Sequence, residues 1–161
     1  MSAIPMPGAP RRAWAGNQPK REPFTLYRRS TVGFGAGDIA LLLRNGDVMH
    51  ALIIEDEAMI AATIEFVLRE CGFESFDIAP SSQMAINAAR ARRPDLVTAD
   101  VQLGRGSGIE AVQAIRTQGP VPVIYITASA RDVRERLDDH AVIDKPFSQE
   151  TLAYAVAASL S

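Results

Sequence analysis

From residue 49 onward, short apolar runs alternate with stretches whose apolar positions recur every three or four residues. Ala51-Leu52-Ile53-Ile54 is an unbroken apolar run, the pattern of a strand buried on both faces, and it ends in three acids, Glu55-Asp56-Glu57. Met59, Ile60, Ile64, Val67 and Leu68 then fall at helical spacing, and Cys71-Gly72 closes that helix. Phe73 to Ile78 reads as a weaker strand, and Ser81 and Ser82 are caps for a helix running through Met84, Ala85 and Ala88-Ala89 to Arg92, stopped by Pro94. Asp95 to Asp100 is a third strand, and a Gly-rich loop from Leu103 to Gly108 leads into a helix with Ile109, Val112 and Ile115 on one face. Gly119-Pro120 breaks the chain before a strand over Val121–Ile126. A short polar helix over Arg131–Leu137, a strand at Ala141-Val142-Ile143 and a helix capped by Ser148 and bearing Leu152, Val156 and Leu160 complete the pattern.

Strands alternating with helices predict a (βα)₅ chain. Right-handed crossovers then give an α/β, doubly wound, parallel five-stranded sheet between two helical layers, a flavodoxin-like three-layer sandwich. Ligands of such sheets bind beyond the carboxyl ends of the strands, so those positions are the ones to inspect.

Composition divides the chain near residue 48. Residues 1–48 carry five of the ten prolines, seven Lys/Arg and three acids, whereas residues 49–161 carry ten Lys/Arg against sixteen acids. A basic, Pro/Gly-rich extension therefore precedes an acidic folded domain at 49–161. Its first part is expected to be disordered, and Asp38 is placed to cap a short helix over Ile39–Leu43 ahead of Asn45-Gly46. Other readings of the extension are a twin-arginine export signal at Arg11-Arg12 or Arg28-Arg29, a basic contact tail, and sequence upstream of a natural start at Met49. The net charge of −2 argues against general attraction to nucleic acid or anionic membranes, and Trp14 and the other aromatics form no stacking array. A membrane span needs ~18 apolar residues in a row, which the chain lacks. Cys71 is alone, which excludes an intrachain disulfide, and it reads as a small packing residue. The expected location is cytoplasmic.

The strand ends hold a telling set. Glu55-Asp56, Asp100, Thr127 and Lys145 follow the first, third, fourth and fifth strands, so four of five strands deliver a polar or charged group to one edge. Crowded carboxylates either raise a pKa or recruit a cation. A hard divalent ion with oxygen ligands, Mg²⁺, suits them and leaves one carboxylate free to attack phosphorus. Thr127 would donate to a phosphoryl oxygen, and Lys145 would hold a compact positive charge opposite.

The segments ALIIEDE (51–57), PDLVTADVQLGRGSG (94–108), VPVIYITA (121–128) and DKPF (144–147) resemble bacterial response-regulator (CheY-like) receiver domains. Among receivers, EDE, ADVQLGRGSGIEAV and VIYITA are closest to those of alpha-proteobacterial general-stress regulators, whose sigma-factor-like output domain is N-terminal. The resemblance implies that Asp100 is the phospho-acceptor and that Glu55, Asp56, Asp100 and the backbone carbonyl of Gln102 hold Mg²⁺. It also makes Thr127 the switch hydroxyl, Lys145 the site lysine and Lys145-Pro146 a cis bond. Gln102 and Ser129, each two places after a signature residue, would flank the path of a hydrolytic water. His50 and His140 flank strands and are expected at the surface.

Three departures stand out. The acidic pair is Glu-Asp rather than Asp-Asp, position 142 is Val where an aromatic is usual, and the stretch from Thr127 to Lys145 is short, with the charged helix RDVRERLDDH. The resemblance implies a partner that is a histidine kinase or histidine phosphotransfer protein, and a phosphoryl acceptor rather than a turnover enzyme. No DNA-binding domain is expected within the chain, so output would run through protein contacts as a phosphorelay shuttle, a phosphate sink or a stress-signalling adaptor. Rival readings fare worse. A flavodoxin-like cofactor enzyme would want a phosphate-cradling loop where three acids stand, and a haloacid-dehalogenase-type phosphatase would want an acid at Gln102. A pseudo-receiver, binding without phosphorylation, is the alternative that keeps the fold.

Overall fold

The computed structural model describes residues 48–134 and 141–161, in which five strands and five helices alternate. They are β1 (His50–Ile54), α1 (Ala58–Glu70), β2 (Ser75–Ala79), α2 (Ser82–Ala91), β3 (Leu96–Asp100), α3 (Gly108–Arg116), β4 (Val123–Thr127), α4 (Ala130–Arg134), β5 (Ala141–Asp144) and α5 (Gln149–Leu160). All neighbouring strands run parallel in the order β2-β1-β3-β4-β5, the doubly wound sheet that the alternation predicts.

The pleat sorts the core into two layers. Ala51 and Ile53 of β1, Leu96 of β3 and Ile124 and Ile126 of β4 pack with Ile64, Leu68, Leu152 and Val156 of α1 and α5. Leu52 and Ile54, Val97 and Ala99, and Val123 and Tyr125 pack on the other face with Ala85, Ala89, Val112 and Ile115 of α2 and α3. The three central strands are buried throughout, while β2 and β5, at the edges, are only partly covered. Burial on both faces explains why the central strands read as continuous apolar runs.

Helix boundaries follow from caps. Ser81, Ser107 and Ser148 each accept a backbone amide at the start of α2, α3 and α5, from Met84, Ile109 and Thr151 respectively. At the end of α1, Gly72 takes φ +95°, its amide donates to Arg69 and that of Phe73 donates to Leu68. Phe73 is thus a buried helix stop rather than a strand residue, and β2 begins at Ser75, later than the sequence predicts. β4 likewise begins at Val123, because Pro122 has no amide for the ladder and contributes only its carbonyl, to Val97.

His50 corrects another expectation. It is the first residue of β1 and is 2% exposed, not a surface residue. Its register partner is Ser75, whose hydroxyl lies 3.1 Å from Nδ1, and Asp77 Oδ2 lies 3.2 Å from Nε2. The backbone joins in: the His50 amide donates to Asp95 Oδ2 and the Asp95 amide returns a bond to the His50 carbonyl. The Ser75 contact at Nδ1 makes burial of the ring tolerable, while Nε2 faces Asp77 without a hydrogen bond among the described residues. Cys71 is buried, as its packing role predicts. The extension at 1–47, including the Ile39–Leu43 helix, and residues 135–140, with His140 and the rest of the charged helix, lie outside the described residues.

Candidate functional site

Register brings the polar groups together. Ile54 pairs with Ala99, so Glu55 and Asp100 leave adjacent strands side by side. Thr127 pairs with Asp144, which sets Lys145 one step beyond Thr127 at the same edge. The amide of Lys145 donates to the Thr127 carbonyl at 2.9 Å, and the Lys145-Pro146 bond is cis, as the resemblance implies.

Lys145 is the hub. Its Nζ stands 2.7 Å from Asp100 Oδ2 and 2.8 Å from Glu55 Oε2, with Glu57 Oε1 farther off at 3.9 Å. The remaining oxygens of the buried pair are held by amides: Gln102 N–H donates to Asp100 Oδ1 and Glu57 N–H donates to Glu55 Oε1. Asp56 is exposed, and its Oδ2 accepts the Gly104 amide at 2.9 Å. Thr127 is buried, and its Oγ1 accepts the Ser129 amide at 3.3 Å, which leaves the hydroxyl proton available to another acceptor.

Two shifts record the local balance. Burial raises the Glu55 carboxyl above its ordinary value, against the lowering effect of Lys145 and the Glu57 amide. Burial alone would lower Lys145, but hydrogen bonds to Asp100 and Glu55, together with their charge, leave it above the ordinary lysine value. The ammonium stays charged.

Glu55, Asp56 and Asp100 each offer an oxygen within 4.8 Å of the other two. Three carboxylates and one ammonium leave a formal charge of −2, which one divalent cation would balance. Hard oxygen donors in this number fit Mg²⁺ completed by water. The loop that follows Asp100 is sterically fixed as well. A Cβ on Gly108 would stand 1.9 Å from the Asp100 carbonyl oxygen, so only glycine lets α3 start so close to the end of β3.

The side chains singled out from sequence, Glu55, Asp56, Asp100, Thr127 and Lys145, all gather at this edge. Gln102 reaches the site through its amide, and its neighbourhood is pinned by an isolated bridge to Ser107. Ser129 reaches it through its amide to Thr127. The amides of Glu57 and Gly104 were not anticipated. They belong to the backbone, which residue-type reasoning does not see, although a Gly-rich loop beside an acid was the available hint.

Residues 51–157 match the family model described as response regulator receiver domain. The transcriptional regulatory protein PdtaR of Mycobacterium tuberculosis is 39% identical over 116 residues, covering 70% of this chain and 57% of PdtaR. The solution structure of the receiver domain of the PhyR response regulator from Erythrobacter litoralis is 34% identical at a TM-score of 0.64, covering 70% of this chain and 89% of that one. A PhyR stress response regulator is 40% identical at a TM-score of 0.62, covering 77% of this chain and 49% of its own length. The chain thus spans about half the length of the curated relatives it matches. With its sheet order, strand-end chemistry and family match in agreement, the chain belongs to the response regulator receiver domain family of two-component signalling.

Proposed function

We propose that this chain is a phosphorylation-controlled switch that accepts a phosphoryl group on Asp100 from a histidine kinase or histidine phosphotransfer protein. The observation that carries the reading is the Lys145 ammonium lodged 2.7 Å from Asp100 and 2.8 Å from Glu55. A fixed cation there steadies the acceptor carboxylate and then the phosphoryl oxygens. Glu55, Asp56, Asp100 and the Gln102 carbonyl would hold Mg²⁺, which when bound supplies neutralising charge for the incoming phosphoryl group.

In the transfer, an Asp100 carboxylate oxygen forms a bond to phosphorus while the phosphorus–nitrogen bond of the donor phosphohistidine breaks. The bonding pair stays on the imidazole nitrogen, and the product is an aspartyl phosphate. Thr127 turns its free hydroxyl proton to a phosphoryl oxygen, and Lys145 remains beside the new charge. Attack of water on phosphorus breaks the bond to the Asp100 oxygen, releasing inorganic phosphate and restoring the carboxylate, so the chain carries signal without turning over a separate substrate.

Exposed apolar residues beside the site support docking of a protein donor there. Met59 is 85% exposed and Phe66 51% exposed, and with Ala62 they line a shallow groove on α1. Thr63 joins it to a second groove lined by Glu57, Ile60, Lys145 and Phe147. The output is read as protein–protein contact, and the likeness to PhyR supports a role in stress signalling. Among the described residues no helix is long and apolar enough to cross a membrane.

The test is intact mass after incubation with acetyl phosphate and Mg²⁺, comparing wild type with Asp100→Asn and an EDTA control. Gain of one phosphoryl group by wild type alone, dependent on metal, supports the assignment. Failure of wild type both to gain mass and to bind beryllofluoride would assign it to the pseudo-receivers instead.

A further inference from the structure

Asp56 differs from the other two acids of the site. Glu55 and Asp100 are 1% and 6% exposed and are fixed by Lys145 and by amides, whereas Asp56 is exposed. An exposed aspartate samples several rotamers, and only some bring its carboxylate within reach of two partners on other strands. One hydrogen bond selects among them. The Gly104 amide, 48 residues along the chain, donates to Asp56 Oδ2 at 2.9 Å and leaves Oδ1 free to ligate.

The identity of residue 104 matters for the approach. A Cβ built on Gly104 would lie 3.1 Å from Asp56 Oδ2, closer than an ordinary contact, so a larger residue crowds the oxygen that the amide holds. The loop carrying Gly104 is itself anchored, by the Gln102–Ser107 bridge on one side and by the Arg105 carbonyl accepting the Ser82 amide on the other. The donor is therefore presented from a braced loop rather than from a free one.

We propose that Gly104 is a positioning residue for metal binding: its amide holds the exposed Asp56 carboxylate in the rotamer that completes the cluster with Glu55 and Asp100. This rests on the proposed Mg²⁺ centre. Hydrogen bonds that orient metal ligands set affinity in known sites, where losing one costs roughly 10- to 100-fold.

The test compares wild type, Gly104→Pro, which deletes the donor, and Gly104→Ala, which retains it. Mg²⁺ affinity is read by calorimetry on the unphosphorylated full chain, with thermal melting as the check on folding. The expected result is a loss of roughly 10- to 100-fold in Gly104→Pro with its melting temperature little changed, and a smaller loss in Gly104→Ala, which keeps the amide and only crowds the oxygen. Equal affinity in wild type and a folded Gly104→Pro overturns the inference. If wild type binds no Mg²⁺, the proposed centre itself falls and the inference with it. A second measurement serves should Gly104→Pro not fold: metal-free hydrogen exchange at the Gly104 amide should be about tenfold slower in wild type than in Asp56→Ala, as a charge-assisted bond requires. Equal exchange rates would overturn the inference without any metal being added.

Discussion

Lys145 Nζ stands 2.7 Å from Asp100 Oδ2 although β4 lies between the strands that carry the two residues. The lysine crosses from just beyond β5, over the end of the sheet, to reach Asp100 at the end of β3. Such a span needs a long, flexible stem ending in a point charge, which lysine provides.

Removing that charge should be costly. Lys145→Met leaves the carboxylates of Glu55 and Asp100 facing each other with no cation between them. The expected loss is about 3 kcal/mol, because breaking a largely buried ion pair strands its partners. Urea unfolding of the metal-free protein measures it, and millimolar Mg²⁺ should restore part of the loss.

The pH dependence has an unusual sign for a carboxylate. Glu55 has a folded pKa above its ordinary 4.5 through burial, so its stabilising effect is present below that value and is lost as pH rises through the folded value. Glu55→Gln should therefore be more stable than wild type at pH 7, with the gain shrinking toward pH 4. Lys145 acts at the other end of the range: its raised pKa contributes stability below 10.5 that disappears as pH climbs through the folded value. Unfolding midpoints measured from pH 4 to 11 check both slopes.

Thr98 sits two residues before Asp100, 1% exposed, and among the described residues its hydroxyl has no hydrogen-bond partner. Thr98→Val exchanges a buried unsatisfied group for an isosteric methyl. A gain of about 1 kcal/mol is expected, read as a higher urea midpoint with an unchanged slope.

Gly108→Ala tests the close approach of α3 to β3. The added methyl would meet the Asp100 carbonyl oxygen at 1.9 Å, and backbone cannot swing aside as a side chain can. Stability should fall by about 3 kcal/mol, the upper end for overpacking, and phosphoryl uptake from acetyl phosphate should fall with it because Asp100 is displaced.

His50→Ala should cost about 2 kcal/mol through the lost contacts with Ser75 and Asp77 and the cavity left beside them. Thermal melting provides the measurement.

Much of this arrangement was legible because parallel strands buried on both faces announce themselves as apolar runs, and the residue ending each run is then conspicuous. Asp100, Thr127 and Lys145 were found that way. What stayed hidden has physical causes. Phe73 has the composition of a strand residue, yet its amide closes α1 by bonding the Leu68 carbonyl, and only three-dimensional structure shows that use of the backbone. His50 reads from sequence as a surface flank of the first strand; its partners Ser75 and Asp77 arrive from the neighbouring strand. The amides of Gln102 and Gly104 carry no residue signature at all.

The polar latch of His50, Ser75, Asp77 and Asp95 joins the amino ends of β1, β2 and β3, while the acids and Lys145 crowd the carboxyl ends. Five strand residues at ~3.3 Å each put roughly 17 Å between them, beyond the range at which substitutions couple. Substitutions in the latch can therefore shift heat tolerance while leaving the charged cluster at the opposite end undisturbed. A lineage moving to a warmer habitat has the amino end of the sheet to rework without touching that cluster.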